Sequence, residues 1–136
     1  MDWKECNNKR FVKKVSIDAN LIYSLKISSK KKLESANMLD LNETTAVSII
    51  SLCYDSLREL LEALAIKKGF KIYNHECFFA FLKEIIKEEK NAVLFDKFRK
   101  IRNGINYYGK DLSYEDAKKL KDEIIDLIKE IKHLID

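Results

Sequence analysis

The stretch that decides the fold is AVSIISLCYDSLRELLEAL, residues 46–64. Its apolar positions follow alternating steps of four and three, the spacing of one face of an amphipathic helix: Ala46, Ile50, Cys53, Leu57, Leu60 and Leu64. Its opposite stripe is polar: Ser48, Ser51, Asp55, Arg58, Glu59 and Glu62. Arg58 is placed to pair with Asp55 and Glu62, each one turn away. The stretch therefore predicts a long bundle helix, which Gly69 ends.

Similar patterns flank this helix on both sides. Residues able to cap a helix N-terminus precede the other apolar repeats, in chain order Ser16 or Asp18, Asn74, Asn91 and Ser113. The first of these helices should reach about Leu39, and Gly109 should end the fourth. Because the connections are short, neighbouring helices should be antiparallel. We therefore predict an all-α fold, an antiparallel up-and-down bundle of four to five helices over residues 16–136, preceded by a basic N-terminal arm or short helix over residues 1–15.

Length and composition narrow the class of protein. The 136 residues fit one domain, and no apolar run approaches the roughly 20 residues of a membrane span. The first residues lack the apolar core of a secretory signal, so we expect a cytoplasmic protein with no membrane partner. A net charge of +4 permits RNA contact without requiring it. The basic stretch from Lys9 to Lys14 either extends a binding surface or is simply solvated.

Cysteines, glycines and histidines give no sign of a cofactor or metal. The three cysteines include no C-x-x-C pair, which argues against a disulfide framework and a thiolate zinc site, and Cys53 and Cys77 are expected to be small core residues. The three glycines are too scattered for a phosphate loop. His75 and His133 lack metal-ligand spacing with a carboxylate. We therefore expect neither metal nor cofactor.

The segment from Arg99 to Gly109 is the strongest candidate site. Its polar residues share one helical stripe: Arg99, Arg102, Asn103 and Asn106, with Tyr107 one turn beyond Asn103. A guanidinium can bind a phosphate bidentately, amides can read base edges, and bases can stack on tyrosines. The alternative is a solvated face whose arginines pair with the acidic stripe of residues 46–64. Gly104 costs about 1 kcal/mol inside a helix, so either another backbone approaches there or the helix begins to fray.

The run FRKIRNGINYYGK, residues 98–110, resembles the signature helix of HEPN domains, particularly the archaeal type. The stretches YDSLREL, residues 54–60, and KGFKIYNHE, residues 68–76, look like the central helices of that family. The resemblance covers the chain from about Ser16 to its C-terminus. It implies an antiparallel bundle of four or five helices that usually dimerises. It also implies an R-x4-6-H motif from each protomer at the interface.

Many members of this family are metal-independent ribonucleases, often toxins, and many are partnered by a minimal nucleotidyltransferase that acts as antitoxin. Arg102 matches the motif arginine, and Asn103 matches the polar residue that commonly follows it. The motif histidine is absent, because its positions hold Tyr107, Tyr108 and Gly109. With an unperturbed pKa of about 10, tyrosine is a much poorer base at neutral pH than histidine, whose pKa is about 6.5.

Three hypotheses follow. The preferred one is a HEPN-like, dimeric module that binds RNA or nucleotide, or pairs with a nucleotidyltransferase, and has weak or no nuclease activity. Its expected binding residues are Arg99, Arg102, Asn103, Asn106, Tyr107 and Tyr108. The second is a metal-independent endoribonuclease using Arg102 with an unusual base, either Tyr107 or His75. His75 is expected in the first turn of the third helix, whose dipole would favour the neutral imidazole; His133 is a weaker candidate. The third is a structural dimerisation domain with tyrosines as interface anchors.

Overall fold

The computed structural model describes residues 1–136, and the chain is all-α, as predicted. Its four long helices are α2 (Ala19–Met38), α3 (Ala46–Lys67), α5 (Glu89–Tyr108) and α6 (Tyr114–Ile135). Two short helices are α1 (Trp3–Asn8) and α4 (Cys77–Ala80), and α4 continues as a π-helical turn over Phe81–Ile85. Two short strands, β1 (Val12–Lys14) and β2 (Phe70–Ile72), complete the fold. None of the helices combines the length and apolarity that a membrane span requires.

Helix α3 is the centre of the bundle and packs against α2, α5 and α6. The predicted apolar face of residues 46–64 is buried along its whole length. Arg58 pairs with Glu62, as predicted, with 2.6 Å between Nη1 and Oε1. Glu59, which the pattern placed on the polar stripe, is instead buried and pairs with Lys32 of α2. The reason is that α2 packs over this side of α3, where the buried hydroxyls of Ser29 and Ser56 lie 2.8 Å apart.

Most of the predicted helix ends are confirmed. Asp18 caps α2 and Ser113 caps α6, each accepting a hydrogen bond from a backbone N–H three residues on. Gly69 and Gly109 have φ of +89° and +61°, the left-handed region that follows a helix C-terminus. The predicted cap Asn91 is wrong, because α5 begins at Glu89 and Asn91 is buried inside it. The chain turns earlier than expected, at Lys87, whose φ is +67°.

The first fifteen residues form α1 and β1 and pack onto the bundle. Strand β1 pairs antiparallel with β2, so that Val12 lies opposite Ile72, although the sequence pattern predicts only a connection at residues 70–73. The ring of Trp3 in α1 contacts the ring of Phe70, with 5.1 Å between centroids. Helix α1 precedes the basic stretch from Lys9 to Lys14, part of which forms β1, and no pattern in the sequence indicated the strands.

A disulfide joins Cys6 of α1 to Cys77 at the start of α4, so the expectation that the cysteines form no disulfide was wrong. The two residues are 71 positions apart, and they meet only because α1 folds back onto α4. Spacing along the sequence cannot reveal such a pair. Cys53 is a free, buried core residue, as predicted, and burial raises the pKa of its thiol to about 11.

Candidate functional site

An open cleft of about 320 Å³ lies between the C-terminal half of α5 and the segment joining β2 to α4. We call it the α5 cleft. Its lining comes from two stretches of chain: Tyr73, Asn74, His75 and Glu76 on one side, and Arg99, Arg102, Asn103 and Tyr107 on the other. Five residues predicted from the sequence therefore meet here. Four belong to the α5 stripe, and the fifth is His75.

Two predicted binding residues, Asn106 and Tyr108, do not line the α5 cleft. Both are exposed, and the side chain of Tyr108 is 79% accessible. Each helical residue is rotated by about 100° from the one before it, so Tyr108 points to a different side of α5 from Tyr107. His133, the weaker candidate base, lines a separate cavity with Lys129 and Glu130 on α6.

Arg102 has hydrogen-bonding capacity to spare. Its Nη2 lies 3.5 Å from Oδ1 of Asp55 on α3, the outer limit of a hydrogen bond, and its guanidinium lies over the Tyr54 ring, 5.4 Å from the centroid. Its Nε is buried without an acceptor. A guanidinium has five N–H donors, so most of those of Arg102 are not committed to a protein partner. Cation–π contact with Tyr54 holds it in place without using them.

The neighbouring arginine on α5 is more firmly paired. Both Nε and Nη2 of Arg99 donate to Oδ1 of Asp96, at 3.0 and 2.9 Å, and Lys100 binds the other carboxylate oxygen at 3.0 Å. Burial would raise the pKa of Asp96, but the hydrogen bonds from Lys100 and Arg99 outweigh it and lower the pKa. The alternative in which the arginines pair with the acidic stripe of α3 therefore holds for Arg102, through its long contact to Asp55, whereas Arg99 pairs within its own helix.

His75 lies just before α4, not in its first turn as predicted, because the helix begins at Cys77. The prediction that Asn74 caps this helix is therefore wrong, and its Oδ1 instead accepts from the Glu76 N–H at 2.9 Å in the turn before α4. Burial lowers the pKa of His75, and the charges of Arg58 and Arg102 lower it further. The neutral imidazole is thus favoured by burial and nearby guanidinium groups, not by a helix dipole.

Tyr54, beneath Arg102, is the buried polar residue of this region that sequence reasoning missed. It is 1% exposed, its ring stacks on Phe95, and its hydroxyl has no hydrogen-bond partner. Burial raises its pKa to about 12, although Arg102 acts in the opposite direction. The phenol therefore remains protonated at neutral pH. It can support the Arg102 side chain but cannot accept a proton from a substrate.

Gly104 directly follows Asn103 in α5 and is buried inside an uninterrupted helix. Fraying does not explain this glycine, because α5 continues to Tyr108. Its Cα is covered by the Lys110 side chain, and its carbonyl accepts from the Lys110 N–H at 3.2 Å. The return of the chain over Gly104 therefore closes the C-terminal end of α5, on a side of the helix that does not line the α5 cleft.

Five more residues belong to the cleft or its border, although the sequence did not single them out as site residues: Asp55, Arg58, Tyr73, Asn74 and Glu76. For Asp55 and Arg58 the available signal was the polar stripe of α3, together with the packing of α5 beside it. Tyr73, Asn74 and Glu76 lie between β2 and α4, where no such pattern marks them. No group of three or more His, Cys, Asp or Glu side chains is arranged to hold a metal ion.

No family model, curated protein or solved structure matches this chain.

Proposed function

We propose that the chain is a HEPN-like module that binds single-stranded RNA in the α5 cleft. The observation that carries the proposal is the meeting of Arg102, Asn103, Tyr107 and Tyr73 in one open cleft. Arg102 offers uncommitted donors to a phosphate, and Asn103 offers an amide to a base edge. Tyr73 and Tyr107, 58% and 72% exposed, offer rings on which bases can stack.

This arrangement favours an extended strand over a paired helix. Bases in a duplex are stacked on each other and cannot lie on protein rings, whereas an unpaired strand can place a phosphate on Arg102 and an adjacent base on a tyrosine. The modest net charge of +4 is consistent with a short contact of few phosphates. Affinity should therefore be moderate and strongly dependent on salt.

The test is fluorescence anisotropy with a labelled single-stranded RNA oligonucleotide in EDTA, at low and at moderate salt. Arg102→Gln should weaken binding at least about tenfold, because a hydrogen-bonded charge pair contributes about 1.5–3 kcal/mol. Lys90→Gln is the matched control. It removes the same charge from the same helix, about 18 Å away along its axis. Equal losses of affinity in the two variants would show that RNA binding is nonspecific and depends on charge alone. No RNA binding in the wild type would favour a structural domain.

A second candidate function, metal-independent RNA cleavage, is favoured by the presence of His75 in the cleft. As a neutral base, His75 would take the proton of a ribose 2′-OH while its oxygen attacks the adjacent phosphorus, and Arg102 would stabilise the phosphorane charge. The 5′-oxygen would leave with a proton from the Tyr107 phenol or from water. This assignment replaces the missing histidine of α5 with one from another element.

Cleavage is tested in EDTA with His75→Asn, which keeps a polar side chain but removes the base. Loss of cleavage with RNA affinity kept within about threefold would support the catalytic role. Cleavage that survives in His75→Asn would exclude His75 as the base. A preparation of wild type that binds RNA without cleaving it would leave the binding module as the function.

On the resemblance we also propose that the chain forms a homodimer, is located in the cytoplasm, and is partnered by a minimal nucleotidyltransferase, as in toxin–antitoxin pairs. Tyr108 supports the dimer, since a largely exposed aromatic residue outside the cleft is typical of an interface anchor. Sedimentation velocity tests it. Tyr108→Ser should shift a dimer toward monomer, and a wild type that is monomeric at micromolar concentration would exclude the dimer.

A further inference from the structure

One side of the α5 cleft consists of residues 73–76, which we call the cleft wall, and both of its ends are attached to the N-terminal segment. At one end, β2 pairs with β1, and the Tyr73 N–H donates to the Phe11 carbonyl at 2.8 Å. At the other end, Cys77 is bonded to Cys6 of α1. Apart from the main chain itself, this disulfide is the covalent link that fixes the cleft wall.

We propose that the Cys6–Cys77 disulfide is a redox-sensitive lock on the cleft wall. With the bond closed, residues 73–76 are ordered and hold Tyr73 and His75 in the α5 cleft; with the bond reduced, the wall loosens and the cleft binds RNA less well. The effect on RNA rests on the proposed function, whereas the effect on the order of the wall does not. Cys6 and Cys77 belong to the same buried core as α3, but the most extensive helix contacts of the bundle, those of α3 with α2 and α6, involve neither α1 nor α4. We therefore expect the rest of the bundle to stay folded without the bond.

The contacts that remain after reduction are few. Helix α1 has six residues, too few to be stable alone. It is held by the Trp3 ring against Phe70 and Phe81, and by the hydrogen bond from the Trp3 N–H to Glu84 at 2.7 Å. Short terminal segments with few contacts are the first to open in a folded protein. Without the disulfide, opening of α1 would free the start of α4 and with it the cleft wall.

Access to the bond also depends on α1. Both sulfur-bearing residues are 0% exposed, so a thiol reaches the bond only when α1 lifts from α4. A dithiol reductant then attacks one sulfur as thiolate and forms a mixed disulfide, and the other cysteine leaves as thiolate. The second thiol of the reductant closes its own disulfide, so two electrons pass to Cys6 and Cys77, which end as free thiols.

In the proposed cytoplasmic location, the lock would respond to changes in redox conditions. Cytosolic thiols are kept reduced, so a disulfide there is usually transient and responds to oxidants. Cys53 does not compete for the bond, since it is buried and its raised pKa keeps it as an unreactive thiol. Exchange with a small-molecule disulfide, which takes up the two electrons and two protons and leaves as two thiols, would therefore pair Cys6 with Cys77 and tighten the cleft.

The test compares oxidised and dithiol-reduced wild type, with the thiol number confirmed by alkylation after unfolding. Native-state hydrogen exchange should become about tenfold faster at the amides of Tyr73, Glu76 and Cys77 on reduction, while amides of the α3 core, such as Leu57, stay unchanged. The affinity for the RNA oligonucleotide should fall about fivefold. The proposal would be overturned if the cleft-wall amides of reduced protein exchange within twofold of the oxidised rate. It would also be overturned if protection is lost throughout α3, because the bond would then stabilise the whole fold and not the cleft wall.

Two variants complete the test. Cys6→Ser should match reduced wild type without any reductant, and Cys53→Ala should keep the full difference between the oxidised and reduced states. A Cys6→Ser protein that exchanges like oxidised wild type would overturn the proposal. If exchange changes as expected but neither state binds RNA, the lock on the wall is supported and the proposed function fails.

Discussion

Replacing Asp55 with asparagine should strengthen RNA binding. The Asp55 carboxylate lies 3.5 Å from Nη2 of Arg102, on the group that we expect to hold a phosphate. An incoming phosphate would both compete with this carboxylate for the guanidinium and be repelled by its charge. Asparagine keeps the size of the side chain and removes the charge, so both penalties on the phosphate are relieved.

The magnitude follows from the geometry. At 3.5 Å two unit charges interact by about 1 kcal/mol in water and about 5 kcal/mol at an effective dielectric constant near 20. The contact between Arg102 and Asp55 is long, and solvent reaches both side chains, which are 22% and 26% exposed. The lower of the two interaction energies therefore applies, in line with the roughly 0.2–1 kcal/mol measured for accessible pairs. About 1 kcal/mol corresponds to an affinity about fivefold higher.

Anisotropy with the same RNA oligonucleotide measures this change, and the gain should shrink as salt screens the charges. Asp126→Asn is the matched control, because it removes an exposed carboxylate of α6 that does not line the cleft. A dissociation constant that is unchanged or higher in Asp55→Asn would refute the reasoning. A higher value would mean that Asp55 positions Arg102 for its ligand.

Four further substitutions test the energetics of this part of the fold. Tyr54→Phe removes a buried hydroxyl that has no partner, so urea unfolding should show a stability equal to or up to about 1 kcal/mol above wild type; a clear loss would reveal a partner for that hydroxyl. Because burial lowers the pKa of His75 in the folded state, the unfolded chain binds a proton more readily, and stability should fall as the pH drops below about 6.5; His75→Asn should flatten that slope. Gly109→Ala should lower the free energy of unfolding by about 1 kcal/mol, because the φ of this residue is +61°. Gly104→Ala should not lower it, because its Cβ would meet only the flexible Lys110 side chain, at 3.2 Å. Thermal melts of the two variants measure the difference.

The helices were predictable because their information is local. The four-three spacing of α3 identifies the face that is buried, and the αL glycines Gly69 and Gly109 mark ends that depend on a few neighbouring residues. The burial of Glu59 was not predictable from α3 alone, since it follows from the packing of α2 and the charge of Lys32 on that helix. A helical pattern states which residues share a face but not which neighbour covers it.

The structure of the N-terminal segment could not be predicted from sequence patterns either, because it too depends on contacts between residues far apart in the sequence. Strands β1 and β2 have three residues each, too few to show an alternation, and their pairing joins Val12 to Ile72. The Cys6–Cys77 bond spans a similar distance along the chain. An odd number of cysteines argues against a framework of several disulfides, but it carries no information about one pair that tertiary packing brings together.

The candidate site also has one part that the local sequence indicates and one that only the fold brings in, and the two parts have different chemistry. Phosphate binding needs a guanidinium with free donors, and the sequence of α5 locates one at Arg102. Proton transfer needs a base of suitable pKa, and along α5 that position holds Tyr107. The fold brings in His75 from the cleft wall, a position that no spacing on α5 could indicate. The phosphate contact of Arg102 and proton transfer by His75 would depend on different elements, so the phosphate contact can persist when proton transfer is lost. Base stacking on Tyr73 and proton transfer by His75 both need an ordered cleft wall, so full RNA binding and cleavage would operate together only when residues 73–76 are ordered.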